Sequence, residues 1–166
     1  MTYKDFKSKI MDLRPHYSEK YRDLILRISN KGEKLGVGNI AQFGPIYQTF
    51  MYACVIGIRL GTPKYLEKGE PSYEFAVIDK WKPNKVRDFV LMLIFNRTQE
   101  FGYDWMNLEN ASEETIGNFT SAFNRELEGY ANRGFEYLQK KWDNEKVIFN
   151  SPQVFVDILL QLNKNI

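Results

Sequence analysis

The chain has 166 residues, a net charge of +2 and one cysteine. That suits a single domain spanning 1–166 with a core of its own, and it excludes an internal disulfide. Aromatic residues make up 15% and charged residues 27%, which excludes a disordered chain.

No apolar run reaches the roughly 18 residues of a membrane span. The opening MTYKDFKSKIMDLR is charged throughout and has no signal-peptide core. The expectation is a cytoplasmic chain with no membrane partner, and the single thiol fits a reducing compartment.

Tyr3, Phe6, Ile10 and Leu13 recur at helical spacing and predict a helix over 2–13. Arg14-Pro15 ends it. Tyr17, Tyr21, Leu24, Ile25 and Ile28 predict a second helix over 16–28, with Asn30 and Gly32 as its stop. Charge is uneven here: residues 1–35 hold nine Lys or Arg against five acids. Lys4, Lys7, Lys9 and Arg14 are therefore candidate DNA contacts. A solvated face of mixed charge is the plainer account. His16, the only histidine, has no second ligand type beside it, so neither a metal nor a general-base role is expected.

Residues 32–45 contain Gly32, Gly36, Gly38 and Gly44 and predict a loop. A phosphate loop is not expected, because no strand precedes it and no Gly-Lys-Ser/Thr ends it. The run from Phe50 to Ile56 is apolar without a break. At 100° per residue it covers the whole circumference of a helix. It predicts a helix over 46–60 buried on every side, with Gly44-Pro45 and Gly61 suited to its ends. Cys54 lies inside this run and reads as packing.

Residues 61–71 form another loop, and 72–78 predict one short extended segment that needs a partner strand or a helix surface to lie on. Pro83 opens a helix over 84–98. Val86, Phe89, Val90, Leu93 and Ile94 are its stripe, and Met92 and Phe95 widen it enough to predict deep burial. The aromatics of 99–111 predict a short helical turn covering one end of the core. The longest helix spans 112–142, capped by Asn110 or Ser112. Its seam is Ile116, Phe119, Phe123, Leu127, Tyr130, Gly134 and Tyr137.

Gly129 and Gly134 each cost about 1 kcal/mol in a helix interior, which predicts close approach of another helix. Asn132 and Arg133 lie off the seam and are candidate partner contacts. Ser151-Pro152 starts a closing helix with Val154, Phe155, Ile158, Leu159 and Leu162 as its apolar face. The fold expected is all-α: a single-domain bundle of five to six helices around a buried central helix, with one short extended segment.

Two blocks carry a resemblance. Phe50-Met51-Tyr52-Ala53-Cys54-Val55-Ile56-Gly57 resembles an FM(F/Y)AAxxG pattern. The stretch Glu128-Gly129-Tyr130-Ala131-Asn132-Arg133-Gly134-Phe135-Glu136-Tyr137-Leu138 resembles E-x-YANGG-x-x-x-L. Their order and the closing helix are similar to the small proteins associated with bacterial DNA-phosphorothioation (Dnd) systems. The chain departs from that pattern at Arg133, where the pattern has glycine, and in the aromatic stretch 102–108. The resemblance implies a helical accessory protein of phage defence and brings no catalytic residues with it.

The residues themselves point away from catalysis. Asp79-Lys80 follows the one extended segment, but no Glu-x-Lys accompanies it as in metal-dependent nucleases. No G-x-S-x-G elbow is present, and Glu113 and Glu114 diverge on a helix. No cofactor is expected. The functional expectation is a non-catalytic accessory subunit of an anti-phage defence system, partnered by other protein subunits of a defence complex and by DNA as a further candidate. The alternatives are a DNA-binding module using the basic N-terminal helices, and a nuclease or other enzyme whose site is assembled only in three dimensions.

Overall fold

Pro45 and Gly61 bracket the apolar run as the sequence implies. The computed structural model describes residues 3–30, 40 and 42–164, apart from the side chains of Tyr3, Lys4 and Trp105. In it the helix α3, Ile46–Leu60, begins after Pro45 and ends at Gly61, whose φ of 86° is left-handed. Glycine takes that conformation without a Cβ penalty. Phe50, Ala53, Cys54 and Ile56 are fully enclosed. Burial pushes the Cys54 thiol pKa upward, so the group stays protonated and packs as a small apolar side chain. Most of the glycine-rich loop, including Gly32, Gly36 and Gly38, lies outside the described residues.

The described residues form seven α-helices and one two-stranded sheet. The helices besides α3 are α1 (Tyr3–Met11), α2 (Arg22–Ile28), α4 (Asn84–Phe95), α5 (Trp105–Leu108), α6 (Glu113–Glu145) and α7 (Val154–Lys164). The sheet pairs β1 (His16–Ser18) with β2 (Ser72–Glu74). The architecture is the expected all-α bundle around a buried helix, with α5 a single turn. None of these helices is long and apolar enough to cross a membrane.

The second predicted helix is corrected at its start. His16–Ser18 is a strand, antiparallel to Ser72–Glu74, with Tyr17 opposite Tyr73. A turn of 3₁₀ helix, Glu19–Tyr21, then leads into α2. The physical reason lies in the backbone hydrogen bonds. Bonds from Phe75 N–H to Pro15 and from Glu19 N–H to Pro71, at 2.8 and 2.9 Å, extend the pairing at either end. The short extended segment thus finds the partner strand it needs.

α3 and α6 run antiparallel and touch backbone to backbone. A methyl group on Gly134 would overlap the carbonyl oxygen of Ala53, and one on Gly57 would overlap that of Tyr130. The approach expected at Gly134 is therefore made by α3. Gly129 answers to a loop instead. An added Cβ there would lie 2.9 Å from Pro63 and Tyr65 side-chain atoms, and Lys64 N–H donates to the Gly129 carbonyl at 2.8 Å. Ser112 caps α6, its side chain accepting from Thr115 N–H at 3.2 Å.

Phe6 of α1 packs on Phe95 and Phe119. Phe101 and Tyr103 also stand against Phe119, with centroids 6.2 and 5.1 Å away. The aromatic stretch thus covers one end of the core.

α4 is corrected in orientation. Its buried residues are Arg87, Val90, Leu91 and Ile94. Val86, Phe89 and Met92 are 43%, 49% and 47% exposed. The helix is apolar on nearly every side, so its pattern does not choose a face. The buried Arg87 occupies the inner side, where its guanidinium donates to the Asp79 carbonyl at 3.3 Å and to Asp88 at 2.8 Å.

Candidate interaction surfaces

Of the four candidate DNA contacts, the three described ones, Lys7, Lys9 and Arg14, do not form one patch. Lys7 and Lys9 are exposed on α1, at positions that point to opposite sides of a helix. The Lys4 side chain lies outside the described residues. Arg14 pairs with Glu74 at 3.0 Å. Further along, Lys20 pairs with Glu70 at 3.1 Å, and the Arg22 guanidinium sits 4.5 Å from the centre of the Tyr73 ring. Arg14, Lys20 and Arg22, three of the nine basic residues of that stretch, are therefore answered by acids and a ring from the β2 region. Lys31 and Lys34 lie outside the described residues.

The expected outward position of Asn132 is corrected. It is 2% exposed. Its Oδ1 accepts from Ser18 N–H at 2.8 Å and its Nδ2 donates to the Glu128 carbonyl at 2.8 Å. The side of α6 away from α3 is not solvent, because the β1–β2 sheet lies across it. Arg133 is half-buried and donates to Glu136 at 2.7 Å. Lys64 Nζ reaches the same carboxylate at 2.6 Å and, with the other donors around it, holds the Glu136 pKa below its usual value. Asn132 thus fastens β1 onto α6 and Glu136 fastens the Lys64 loop, while the Arg133 pair stays within the helix.

Glu128 is the second fastening point. One of its oxygens accepts from His16 N–H at 2.7 Å and from Asn124 Nδ2 at 2.9 Å, and lies 3.3 Å from His16 Nδ1. Burial pushes this carboxyl pKa up, against the pull of the His16 and Asn124 hydrogen bonds. Among the described residues no group of three or more His, Cys, Asp or Glu could hold a metal ion.

Glu70 behaves oppositely. The Ser18 hydroxyl donates to it at 2.5 Å and Glu67 N–H at 3.0 Å. These bonds, with Lys20 beside them, lower its pKa from 4.5 to about 2. A depressed carboxyl contributes stability above its unfolded value and loses it as pH falls through the folded one. Glu70→Gln is expected to destabilise by about 2 kcal/mol near neutral pH, the size of a charge-assisted hydrogen bond. The difference should shrink below the unfolded pKa of 4.5 and close near pH 2. Denaturant melts at several pH values check it, and a pH-independent difference would sink it.

One surface has no internal explanation. Between α1 and α4 runs an open groove of about 270 Å³, lined by Phe6, Ile10, Met11, Leu91, Met92 and Phe95. Lys7 and Asp88 stand at its rim. Outside that lining, Phe89 and Val86 follow Met92 at three-residue spacing along the exposed side of α4. The periodicity of α4 led to the opposite expectation of burial. The available signal was the pair Lys85 and Asp88 at three-residue spacing, which marks the outer side. Comparison of the chain with family models, curated proteins and solved structures finds no match.

Proposed function

We propose that this chain is a non-catalytic accessory subunit that works by protein–protein contact, in the cytoplasm, within a bacterial anti-phage defence system that modifies, restricts or senses DNA. The defence setting rests on the resemblance of residues 50–57 and 128–138 to the Dnd-associated proteins. The contact mode rests on one observation, the outer face of α4. Val86, Phe89 and Met92 stand 43%, 49% and 47% exposed on one side of α4, and Met92 also lines an apolar groove. Contiguous apolar surface rimmed by charge is what protein-contact sites present to water. Isolated exposed apolar residues are ordinary, but three on one helix beside a groove are a patch.

The test is affinity capture from the native host with the parent chain and with Phe89→Glu, identifying what co-purifies. Phe89 is half-exposed, so the variant should melt with the parent. The expected result is a defence-system protein retained by the parent and lost by the variant. A partner set unchanged by Phe89→Glu would overturn the contact mode. A partner lost by the variant but unconnected with DNA modification or phage resistance would overturn the defence setting alone.

A further inference from the structure

The groove between α1 and α4 has a definite electrical character. Two charged side chains line it, Lys7 on α1 and Asp88 on α4, and a third, Lys85, stands exposed on α4 outside that lining. Lys85 precedes Phe89 by one helical turn and so shares its outer stripe. Asp88 is already committed, because Arg87 Nε donates to it at 2.8 Å. Lys7 and Lys85 are both exposed, and neither has a hydrogen-bond or ion-pair partner among the described residues. Among the described residues that line the groove the one acid is thus neutralised from within the chain, while the ammonium of Lys7 at the groove and that of Lys85 beside Phe89 remain uncommitted.

That arrangement discriminates between occupants. A second copy of the chain would bring the same two lysines with its own Asp88 likewise engaged, so the rims would repel. A nucleic-acid backbone would meet the lysines and leave Val86, Phe89 and Met92 in contact with water. A basic segment would be repelled at the rim. A segment with apolar residues along one side and carboxylates beside them answers both features together.

We propose that the α1–α4 groove binds an acidic amphipathic helix of a partner protein. Its apolar residues seat over Leu91, Met92 and Phe89, and its carboxylates meet Lys7 and Lys85. This rests on the reading of the chain as a contact subunit and narrows that reading to one chemistry.

Fluorescence anisotropy with the whole chain tests it. The probe is a labelled helical peptide with leucine at positions repeating every third and fourth residue and glutamate elsewhere. Its companion has lysine in place of every glutamate. The glutamate peptide is expected to bind at least about tenfold more tightly than the lysine peptide, a difference within reach of rim charges. The double variant Lys7→Glu with Lys85→Glu should reverse that preference, and Phe89→Glu should abolish binding of both. All three side chains are exposed, and circular dichroism melts establish that the variants fold.

Equal binding of the two peptides, or a preference unchanged by the double lysine variant, overturns the acidic assignment. If Phe89→Glu still abolishes binding in that case, the contact reading survives it. Peptide binding unaffected by Phe89→Glu overturns both. A dimer seen in sedimentation and lost in Phe89→Glu assigns the groove to a second copy and overturns the proposal. Binding of a DNA duplex lost in the double lysine variant but kept in Phe89→Glu assigns the lysines to phosphate and overturns it as well.

Discussion

Gly134→Ala is expected to destabilise the fold by about 3 kcal/mol or more, at the upper end of what overpacking does. Alanine improves helix propensity by about 1 kcal/mol over glycine, so the sign alone is informative. The reason is that the added methyl group meets backbone, not a side chain that can turn away. It falls on the carbonyl of Ala53, and the two helices must move apart to admit it. Gly57→Ala faces the reciprocal obstacle at Tyr130 and should behave alike. Denaturant melts decide the matter: a Gly134→Ala chain as stable as the parent would show that α3 and α6 do not approach this closely.

Asn132→Ala should cost about 2 kcal/mol, the usual penalty for leaving a buried donor without its acceptor. The donor is the Ser18 N–H, which faces α6 rather than β2 and has the Asn132 oxygen at 2.8 Å. Arg14→Ala is the contrast. Its pair with Glu74 is about half-exposed on both sides, and such pairs contribute about 0–1 kcal/mol. Amide hydrogen exchange at Tyr17 and Ser18 should accelerate in Asn132→Ala and not in Arg14→Ala. Equal stability of the two variants would mean that the sheet holds to α6 by its aromatic side chains alone.

These two residues mark where the sequence is legible and where it stops being so. Gly134 falls on an apolar seam, and a glycine there has one physical reading, which is room for a neighbour. The run 50–56 is likewise unambiguous, since a helix apolar on every side has nowhere to be but inside. Asn132 looked outward only on the assumption that α6 has one covered face, and a three-residue strand contradicts that. The strand itself is disguised. Tyr17 precedes Tyr21 by four residues and both reach the core, so an extended segment imitates a helical stripe.

α4 defeats periodicity in another way. With Val86, Phe89, Val90, Leu91, Met92, Leu93, Ile94 and Phe95 in one helix, apolar residues lie on both the inner and the outer side. The choice between them is made by where Arg87 finds the Asp79 carbonyl, a contact that sequence spacing does not encode. The exposed apolar face was illegible for the same reason, since that choice leaves Phe89 outside. The basic N-terminal residues were visible as an excess of charge. Their partners, Glu74 and Glu70, arrive from some fifty to sixty residues away and are not visible locally.

The pairing of α3 with α6 also bears on how the chain is made. α3 is complete once Leu60 has left the ribosome, yet the surface that encloses it, from Tyr130 to Leu138, begins about 70 residues later. During that interval an all-round apolar helix has only α2, α4 and the rings of Phe75 and Trp81 to lean on. Closing so long a loop before the main contact can form raises the entropic barrier to folding and slows it relative to bundles of neighbouring helices. A nascent chain that stops short of Tyr130 therefore leaves part of α3 uncovered, the kind of transiently exposed apolar surface that favours aggregation.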